Sequence, residues 1–246
     1  MRIAVAGGTG QAGGEAAATA RQRGHDVVVL ARSRGVDLLT GAGVDAALDG
    51  VDAIIDASGA RGDDDPRVFH ETAVRRFAQS GARHLVVLSI VNCDRAASYP
   101  LYGAKLAQER AAEAGGIPFT IARSTQFHEF AGQVWGFGTK GFLHFAPRMR
   151  TQPVAVAEVG ARLVDLAEAA PAGGRAPDFA GPREESLVDM VRAWARAVGR
   201  SSRIVPVNLP GEFGRAQRDG SLLPGPDAEL GIQTFDEWVS TLRAES

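Results

Sequence analysis

The residues with the clearest chemical promise stand at the start of the chain. Gly7-Gly8-Thr9-Gly10-Gln11-Ala12-Gly13 follows the apolar run Arg2–Ala6 directly and leads straight into a helical pattern. Gly7, Gly10 and Gly13 are spaced three apart, and each has a separate use. One turns the chain at an unusual φ, one lets a pyrophosphate approach a backbone that has no Cβ in the way, and one packs helix closely on sheet. The N–H groups and dipole of the helix N-terminus would then hold the phosphate charge. A glycine triplet alone is weak. Placed after a strand, before a helix and inside a βαβ unit, it points to dinucleotide binding, with Thr9, Gln11 and Ala12 completing the cradle. The structural alternative is a tight strand-to-helix turn with no ligand.

A second set follows at the end of the next apolar run, where Ala31 gives way to Arg32-Ser33-Arg34. A carboxylate here would bind the adenosine ribose 2′-hydroxyl of NAD and repel a 2′-phosphate; guanidinium groups and a hydroxyl bind the phosphate instead. NADP(H) is therefore the expected cofactor, with Asp37 as an adenine-side contact. The small residues Ala57-Ser58-Gly59 close the third run and would let the cofactor pass over the sheet edge.

The elements that must position these groups can be read from periodicity. Arg2–Ala6, Val27–Ala31, Ala53–Ala57, Leu85–Ser89 and Phe119–Ala122 are continuous apolar runs, as in a parallel sheet covered on both faces. Between them, helical patterns at Gln11–Arg23, Pro66–Ser80 and Leu101–Ala114 stop at Gly24, Gly81 and Gly115. Asp63-Asp64-Asp65 before Pro66 supplies an N-cap and negative charge facing the helix dipole, rather than a metal site. The expectation is an α/β, doubly wound parallel sheet: residues 1–125 form the dinucleotide-binding core, and 126–246 complete the sheet and form a small substrate lobe. In that second part Phe127–Phe137 reads as helix, Gly138–Phe145 as a turn, and Val154–Ala169 as a short strand running into a helix. Ser186 begins an amphipathic helix carrying Leu187, Met190, Val191, Trp194 and Val198 on one face, with Gly199 as its stop. Arg203–Val207 reads as a strand, Pro210–Gly231 as a long binding loop, and Thr234-x-x-Glu237 as a capping box.

Together the Gly7–Gly13 turn, Gly50-Val51-Asp52-Ala53-Ile54-Ile55, Tyr102-Gly103-Ala104-Lys105 with Glu109, and Gly116-Ile117-Pro118-Phe119-Thr120-Ile121-Ala122-Arg123 resemble the atypical short-chain dehydrogenase/reductases. The likeness is strongest to the NmrA-like branch, which includes NADPH-dependent quinone reductases and triarylmethane reductases. It covers about the first 130 residues. The resemblance implies a Rossmann-type domain with NAD(P) across the C-terminal strand ends and a variable lobe over the nicotinamide. It also implies a lysine, here Lys105, that binds the nicotinamide ribose and lowers the pKa of a tyrosine acid four residues before it. That position holds Leu101. Tyr102 lies three before the lysine, a slip of about 100° around the helix, and Tyr99, the one other tyrosine, precedes the helix. Ser89 is near the family's assisting serine, although family spacing falls closer to Val91.

Reduction of a ketone to an alkoxide benefits strongly from a placed acid, whereas a quinone, enone or cationic dye delocalises the incoming charge. The expected activity is therefore NADPH-dependent hydride transfer to a small, electron-poor conjugated acceptor. A cofactor-sensing regulator without turnover and an epimerase or dehydratase are the alternatives. Lys105, Tyr102 and His128 are the candidate catalytic groups, the histidine as an alternative acid. Ser89, Ser124, Thr125 and Gln126 are further cofactor contacts, with Phe127 and Phe130 for substrate. Trp135, Phe137, Phe142 and Phe145 extend this aromatic set, which serves equally as core or pocket lining. Cys93 has nothing basic poised beside it.

Composition limits the classes. The 246 residues carry 27 Lys+Arg against 29 Asp+Glu, a formal charge of −2 that gathers neither nucleic acid nor anionic lipid. One cysteine allows no internal disulfide and no thiol metal cluster, so no metal is expected. No run approaches the length of a membrane span, and no secretory signal is read, so a cytoplasmic setting is expected. The partner is a small molecule; monomer and homodimer both remain open.

Overall fold

In the computed structural model, which describes residues 1–140 and 143–244, the five apolar runs are parallel strands. They are β1 (Arg2–Ala6), β2 (Asp26–Leu30), β3 (Ala53–Asp56), β4 (His84–Ile90) and β5 (Phe119–Ser124). The central strands are enclosed on both faces, since Ile3–Ala6, Ala53–Ile55 and Leu85–Val87 have no exposed surface, whereas on the edge strand β2 only Leu30 is buried. Helices connect them: α1 (Gln11–Gln22), α2 (Val44–Leu48), α3 (Pro66–Ala78) and α4 (Pro100–Ala114).

Two units divide the chain. The first comprises Met1–Arg123 and Val156–Pro177. Its strands lie in the order β5-β4-β3-β1-β2, with Gly174–Arg175 paired to β5. β1 sits between β2, with Arg2 opposite Asp26, and β3, with Ile3 opposite Ala53. The chain steps from β1 to one side and then returns to the other, so the β1/β3 crevice is the switch point where open α/β sheets bind ligands. On one face Leu30, Val44, Leu48, Ile54, Phe69, Phe77 and Leu85 pack together. On α1, Ala12, Ala16, Ala17 and Ala20 are buried, and the helix Val156–Glu168 crosses so closely that a Cβ on Gly160 would lie 2.7 Å from the Ala16 nitrogen.

Asp65 caps α3 by accepting the N–H groups of Arg67 and Val68 at 2.9 and 3.0 Å, with Pro66 opening the helix. Gly24 and Gly81 adopt positive φ after their helices, but α4 ends differently. Gly115 stays right-handed as its C-cap and the turn falls on Gly116 at φ 74°.

The second unit comprises Ser124–Ala155 and Asp178–Ser246. Helices Phe130–Phe137, Leu187–Ala197 and Phe235–Ala244 bring together Val134, Met149, Leu187, Met190, Val191, Phe235 and Val239. The capping box is present: Glu237 accepts the Thr234 N–H at 2.7 Å and Thr234 Oγ1 accepts the Glu237 N–H at 3.2 Å. Arg203–Val207 is a strand, paired in parallel with Leu143–Pro147. Three expectations change here. Phe127–Phe137 is helical only from Phe130. The glycine-rich stretch at 138–145 is strand at Thr139–Lys140 and Leu143–Pro147, with Phe142 outside the described residues. Pro210–Gly231 contains the helix Gly211–Asp219, whose spacing of Phe213, Ala216 and Gln217 was masked by flanking glycine and proline.

Candidate functional site

Gly7 leaves β1 at φ 74°, and a Cβ there would stand 2.5 Å from the Ala57 carbonyl oxygen and 2.8 Å from the Ser58 Cα. A Cβ on Gly13 would collide with the Gly7 carbonyl oxygen. The turn is thus pressed between the backbone leaving β3 and the first turn of α1. Gly10 donates its N–H to the Gly7 carbonyl at 2.8 Å and is itself the helix N-cap. No side chain caps α1 and no acidic residue stands in its first turn, so its amide donors and dipole are offered to an anion. Thr9, Gly10 and Gln11 are exposed; Ala12 and Gly13 lie inside.

After β2, Arg32-Ser33-Arg34 forms one 3₁₀ turn closed by Gly35 at φ 78°, and all three side chains are exposed. Arg32 Nη2 pairs with Asp64 at 3.1 Å. Asp37 instead accepts the N–H groups of Leu39 and Thr40 at 2.8 and 3.2 Å, which organises its own loop. Beside the glycine turn, Gly59 is exposed, Ala57 half-buried and Ser58 buried. The Ser58 N–H and hydroxyl both donate to Asp56 Oδ1, at 3.1 and 2.5 Å.

That aspartate opens a buried relay. Gln108 Nε2 donates to Asp56 Oδ2 at 2.7 Å, while its Oε1 accepts from Lys105 Nζ at 2.9 Å; Lys105 also donates to the Leu88 carbonyl at 2.8 Å. Lys105 and Gln108, one turn apart, share the inward face of α4. Burial lowers the lysine pKa, and the nearby charges of Asp56, Cys93 and Glu109 oppose that shift. His70, enclosed on α3, is pushed down to about 2 by burial and by the Lys105 charge, so it stays neutral. At the start of α4, Leu101 is 48% exposed whereas Tyr102 is 5% exposed, so the tyrosine, not the leucine, turns inward. Its ring meets Tyr99 edge-on at 6.1 Å.

A second buried cluster lies one turn further along α4. Glu109 receives Arg123 in a two-point pair, 2.8 Å from Nε and 2.7 Å from Nη2, and Arg123 reaches Asp94 at 2.7 Å. Burial works against the Arg123 charge, but its hydrogen bonds to Glu109 and Asp94 and the charges of Glu109 and Cys93 together outweigh that and hold its pKa above the ordinary value. Ser89 donates to Glu109 at 2.5 Å and is 1% exposed. Its hydroxyl is directed into this cluster. Cys93 has no exposed surface, and burial followed by the Glu109 charge pushes its thiol up to about 11.

In the second unit Ser124 donates to the Thr125 carbonyl at 3.3 Å, Thr125 to the Gln152 carbonyl at 2.6 Å, and Thr151 to Gln126 Oε1 at 2.7 Å. Phe127 and Phe130 are half-buried. His128 has no exposed surface; its Nε2 lies 3.2 Å from the Gln233 carbonyl and its ring contacts Phe235 and Trp238 at 5.6 and 5.7 Å. The ring is thus enclosed by the second unit's own aromatic residues. Trp135 stacks on His144 at 3.5 Å, and Phe137 is 86% exposed.

Sequence reasoning missed Asp56, Gln108 and Arg123 as members of these networks. The signal for Gln108 was its i+3 spacing from Lys105; Asp56 and Arg123 were polar residues at the ends of apolar runs. Among the described residues no group of three or more His, Cys, Asp or Glu is arranged to hold a metal ion, and no helix is long and apolar enough to cross a membrane.

No protein-family model matches the chain. The photosystem II assembly factor Ycf39 of Synechocystis is 26% identical over 240 residues, covering 85% of this chain and 71% of that protein. Among solved structures, the NADPH-dependent quinone oxidoreductase QOR2 of Escherichia coli superposes with TM-score 0.71 at 16% identity, covering 98% and 99% of the two chains. The Citrobacter triphenylmethane reductase complexed with NADP(H) gives 0.66 at 18% identity, covering 98% and 95%. MoeE5 in complex with UDP-glucose and NAD gives 0.72 at 14%, covering 99% and 98%. These similarities show a common fold, the Rossmann-type α/β fold with a mostly parallel central sheet.

Proposed function

We propose that the chain is an NADPH-dependent reductase that delivers hydride to a small, electron-poor conjugated acceptor such as a quinone, an enone or a cationic dye. The observation that carries the choice of acceptor is at α4 and β4. Position 101 is an exposed leucine, and the Ser89 hydroxyl is committed to Glu109. A carbonyl reductase needs an acid where the oxyanion forms, whereas an acceptor that spreads the charge needs chiefly to be positioned. The cofactor reading rests on Gly7 and Gly13, where a Cβ would collide with neighbouring backbone and force the turn open, and on the uncapped N-terminus of α1. Such sites suit a pyrophosphate. Two structural neighbours, a quinone oxidoreductase complexed with NADPH and a triphenylmethane reductase complexed with NADP(H), support the same choice.

The cofactor supplies the hydride; the chain's residues bind and orient it. Thr9, Gly10, Gln11, Ala12 and the α1 amides hold the pyrophosphate, Arg32, Ser33 and Arg34 the 2′-phosphate, and Ala57-Ser58-Gly59 the sheet-edge side. Lys105 keeps its Nζ fixed beneath the strand ends through the Leu88 carbonyl and Gln108. Tyr102, on the inward face of α4, is the candidate proton donor, with His128 as the alternative acid. Ser124, Thr125 and Gln126 at and after the end of β5 are assigned to the nicotinamide, and Phe127 and Phe130 to the acceptor. The second reading, a sensor that binds NADP(H) without turnover, is favoured by the enclosure of the Lys105 ammonium.

NADPH oxidation measured with a panel of quinones, enones, triarylmethane dyes and simple ketones separates these readings. Turnover with a conjugated acceptor and none with ketones is expected. Tight NADPH binding with no turnover across the panel selects the sensor.

A further inference from the structure

Only one of the three consecutive aspartates before α3 is used as a cap. Asp65 takes the N–H groups of Arg67 and Val68, which leaves Asp64 for a different task. Its Oδ2 lies 3.1 Å from Arg32 Nη2 and accepts the backbone N–H of Arg61 at 3.3 Å, so the carboxylate is anchored by its own turn while it faces the guanidinium. The Arg32 side chain is 48% exposed and that of Asp64 21%, so the pair is open to solvent and exchangeable. Neither Ser33 nor Arg34, the other members of that turn, is paired with a carboxylate among the described residues.

We propose that Asp64 is a specificity-determining residue: an internal anion that occupies Arg32 in the free protein and competes with the cofactor's 2′-phosphate. This rests on the assignment of Arg32 to the 2′-phosphate made above. An arginine fork that binds one carboxylate oxygen must release or share it to take a phosphate oxygen, and a phosphate seated beside Asp64 meets a like charge. Ligands with a 2′-phosphate therefore carry a penalty that ligands without one do not. Asp64 reduces discrimination between the two dinucleotides, and it favours release of the phosphorylated one.

The size follows from the exposure. Solvent-open ion pairs contribute about 0.2–1 kcal/mol, up to about fivefold in an equilibrium constant, and removal of a neighbouring like charge adds to that. Asp64→Asn should bind a 2′-phosphorylated ligand about three- to tenfold more tightly.

The test is isothermal titration calorimetry of the full chain with adenosine 2′,5′-bisphosphate and with AMP, which differ by the 2′-phosphate alone. Wild type, Asp64→Asn, Asp64→Ala and Arg32→Ala are compared, with circular dichroism confirming that each is folded. Tighter bisphosphate binding in both Asp64 variants, with AMP unchanged within twofold, is the expected result. Unchanged or weaker bisphosphate binding overturns the proposal, as does equal tightening of both ligands. If Arg32→Ala abolishes the bisphosphate preference while the Asp64 variants do nothing, the phosphate assignment stands and the competition falls. If Arg32→Ala leaves that preference intact, the assignment itself falls, and the competition with it.

Discussion

Gly13→Ala separates a phosphate cradle from an ordinary tight turn. The added Cβ would collide with the Gly7 carbonyl oxygen and stand 2.6 Å from its carbon and 3.0 Å from the Gly8 nitrogen. All three are backbone atoms that no rotamer change can move. Carbon contacts relax to about 3.5–4.0 Å, so the turn must move away from α1 by roughly 1 Å. Overpacking of this kind costs about 1–3 kcal/mol, or roughly 2–12 °C in melting temperature for a chain of this size. The larger effect is on the ligand, because the displaced atoms carry the amides assigned to the pyrophosphate. At NADPH one hundredfold above its wild-type Kd, ligand linkage stabilises the protein by about 2.7 kcal/mol. If the variant binds about 100-fold more weakly, the same concentration gives about 0.4 kcal/mol, and the NADPH-induced rise in melting temperature shrinks from roughly 5–11 °C to about 1–2 °C. Gly24→Ala is the control: φ is 81° and no atom lies within 4 Å of the new Cβ. It loses about 1–2 kcal/mol through backbone strain alone and keeps the full NADPH-induced rise. Differential scanning fluorimetry with and without NADPH reads both. A full NADPH-induced rise in Gly13→Ala, or its loss in Gly24→Ala, would refute the cradle.

Three further outcomes follow from the same geometry. Replacing Arg32 and Arg34 together with alanine should raise the Kd for NADPH about tenfold or more while NADH changes little, measured by fluorescence titration; equal losses count against the 2′-phosphate site. The buried His70 ring has its pKa lowered to about 2 in the folded protein, against an ordinary value near 6.5 when unfolded. The unfolded chain therefore binds a proton that the folded one refuses, so stability is level above about pH 6.5 and falls by about 1.4 kcal/mol per pH unit below it. Denaturant titrations of His70→Leu across that range should lose this share of the slope, and an unchanged slope would exclude His70 as its source. Glu109→Ala leaves the guanidinium of Arg123, 4% exposed, with Asp94 as its carboxylate partner. A loss of about 3–5 kcal/mol is expected in urea unfolding, and a loss under 1 kcal/mol would show that Asp94 and water suffice.

The sheet could be read from the sequence because burial on both faces writes itself as uninterrupted apolar runs, and the glycine turn because steric demands at Gly7 and Gly13 admit no side chain. The Thr234 and Glu237 capping box was legible for the same reason: its bonds span three residues. What could not be read was set by distant partners. Gln108 looks like an ordinary surface glutamine until α4 is laid over the ends of β3 and β4, where it links Asp56 to Lys105. Ser89 sat near, though not at, the position expected of an assisting serine, and only the placement of Glu109 shows where its hydroxyl goes. His128 resembled an acid in sequence, but Phe235 and Trp238, more than 100 residues later, enclose it. The helix Gly211–Asp219 was hidden because Gly211 and Gly220 mark its ends as strongly as they would mark a loop.

Hydride transfer from NADPH to a delocalised acceptor leaves an isotopic signature. The protein is incubated with a triarylmethane dye or a quinone and with NADPH carrying deuterium at its transferable position. Loss of dye colour and deuterium on the central carbon of the reduced dye are expected, with a simple ketone left unreduced under the same conditions. NADPH binding without reduction of any conjugated acceptor, or a reduced dye that carries no deuterium, would contradict it.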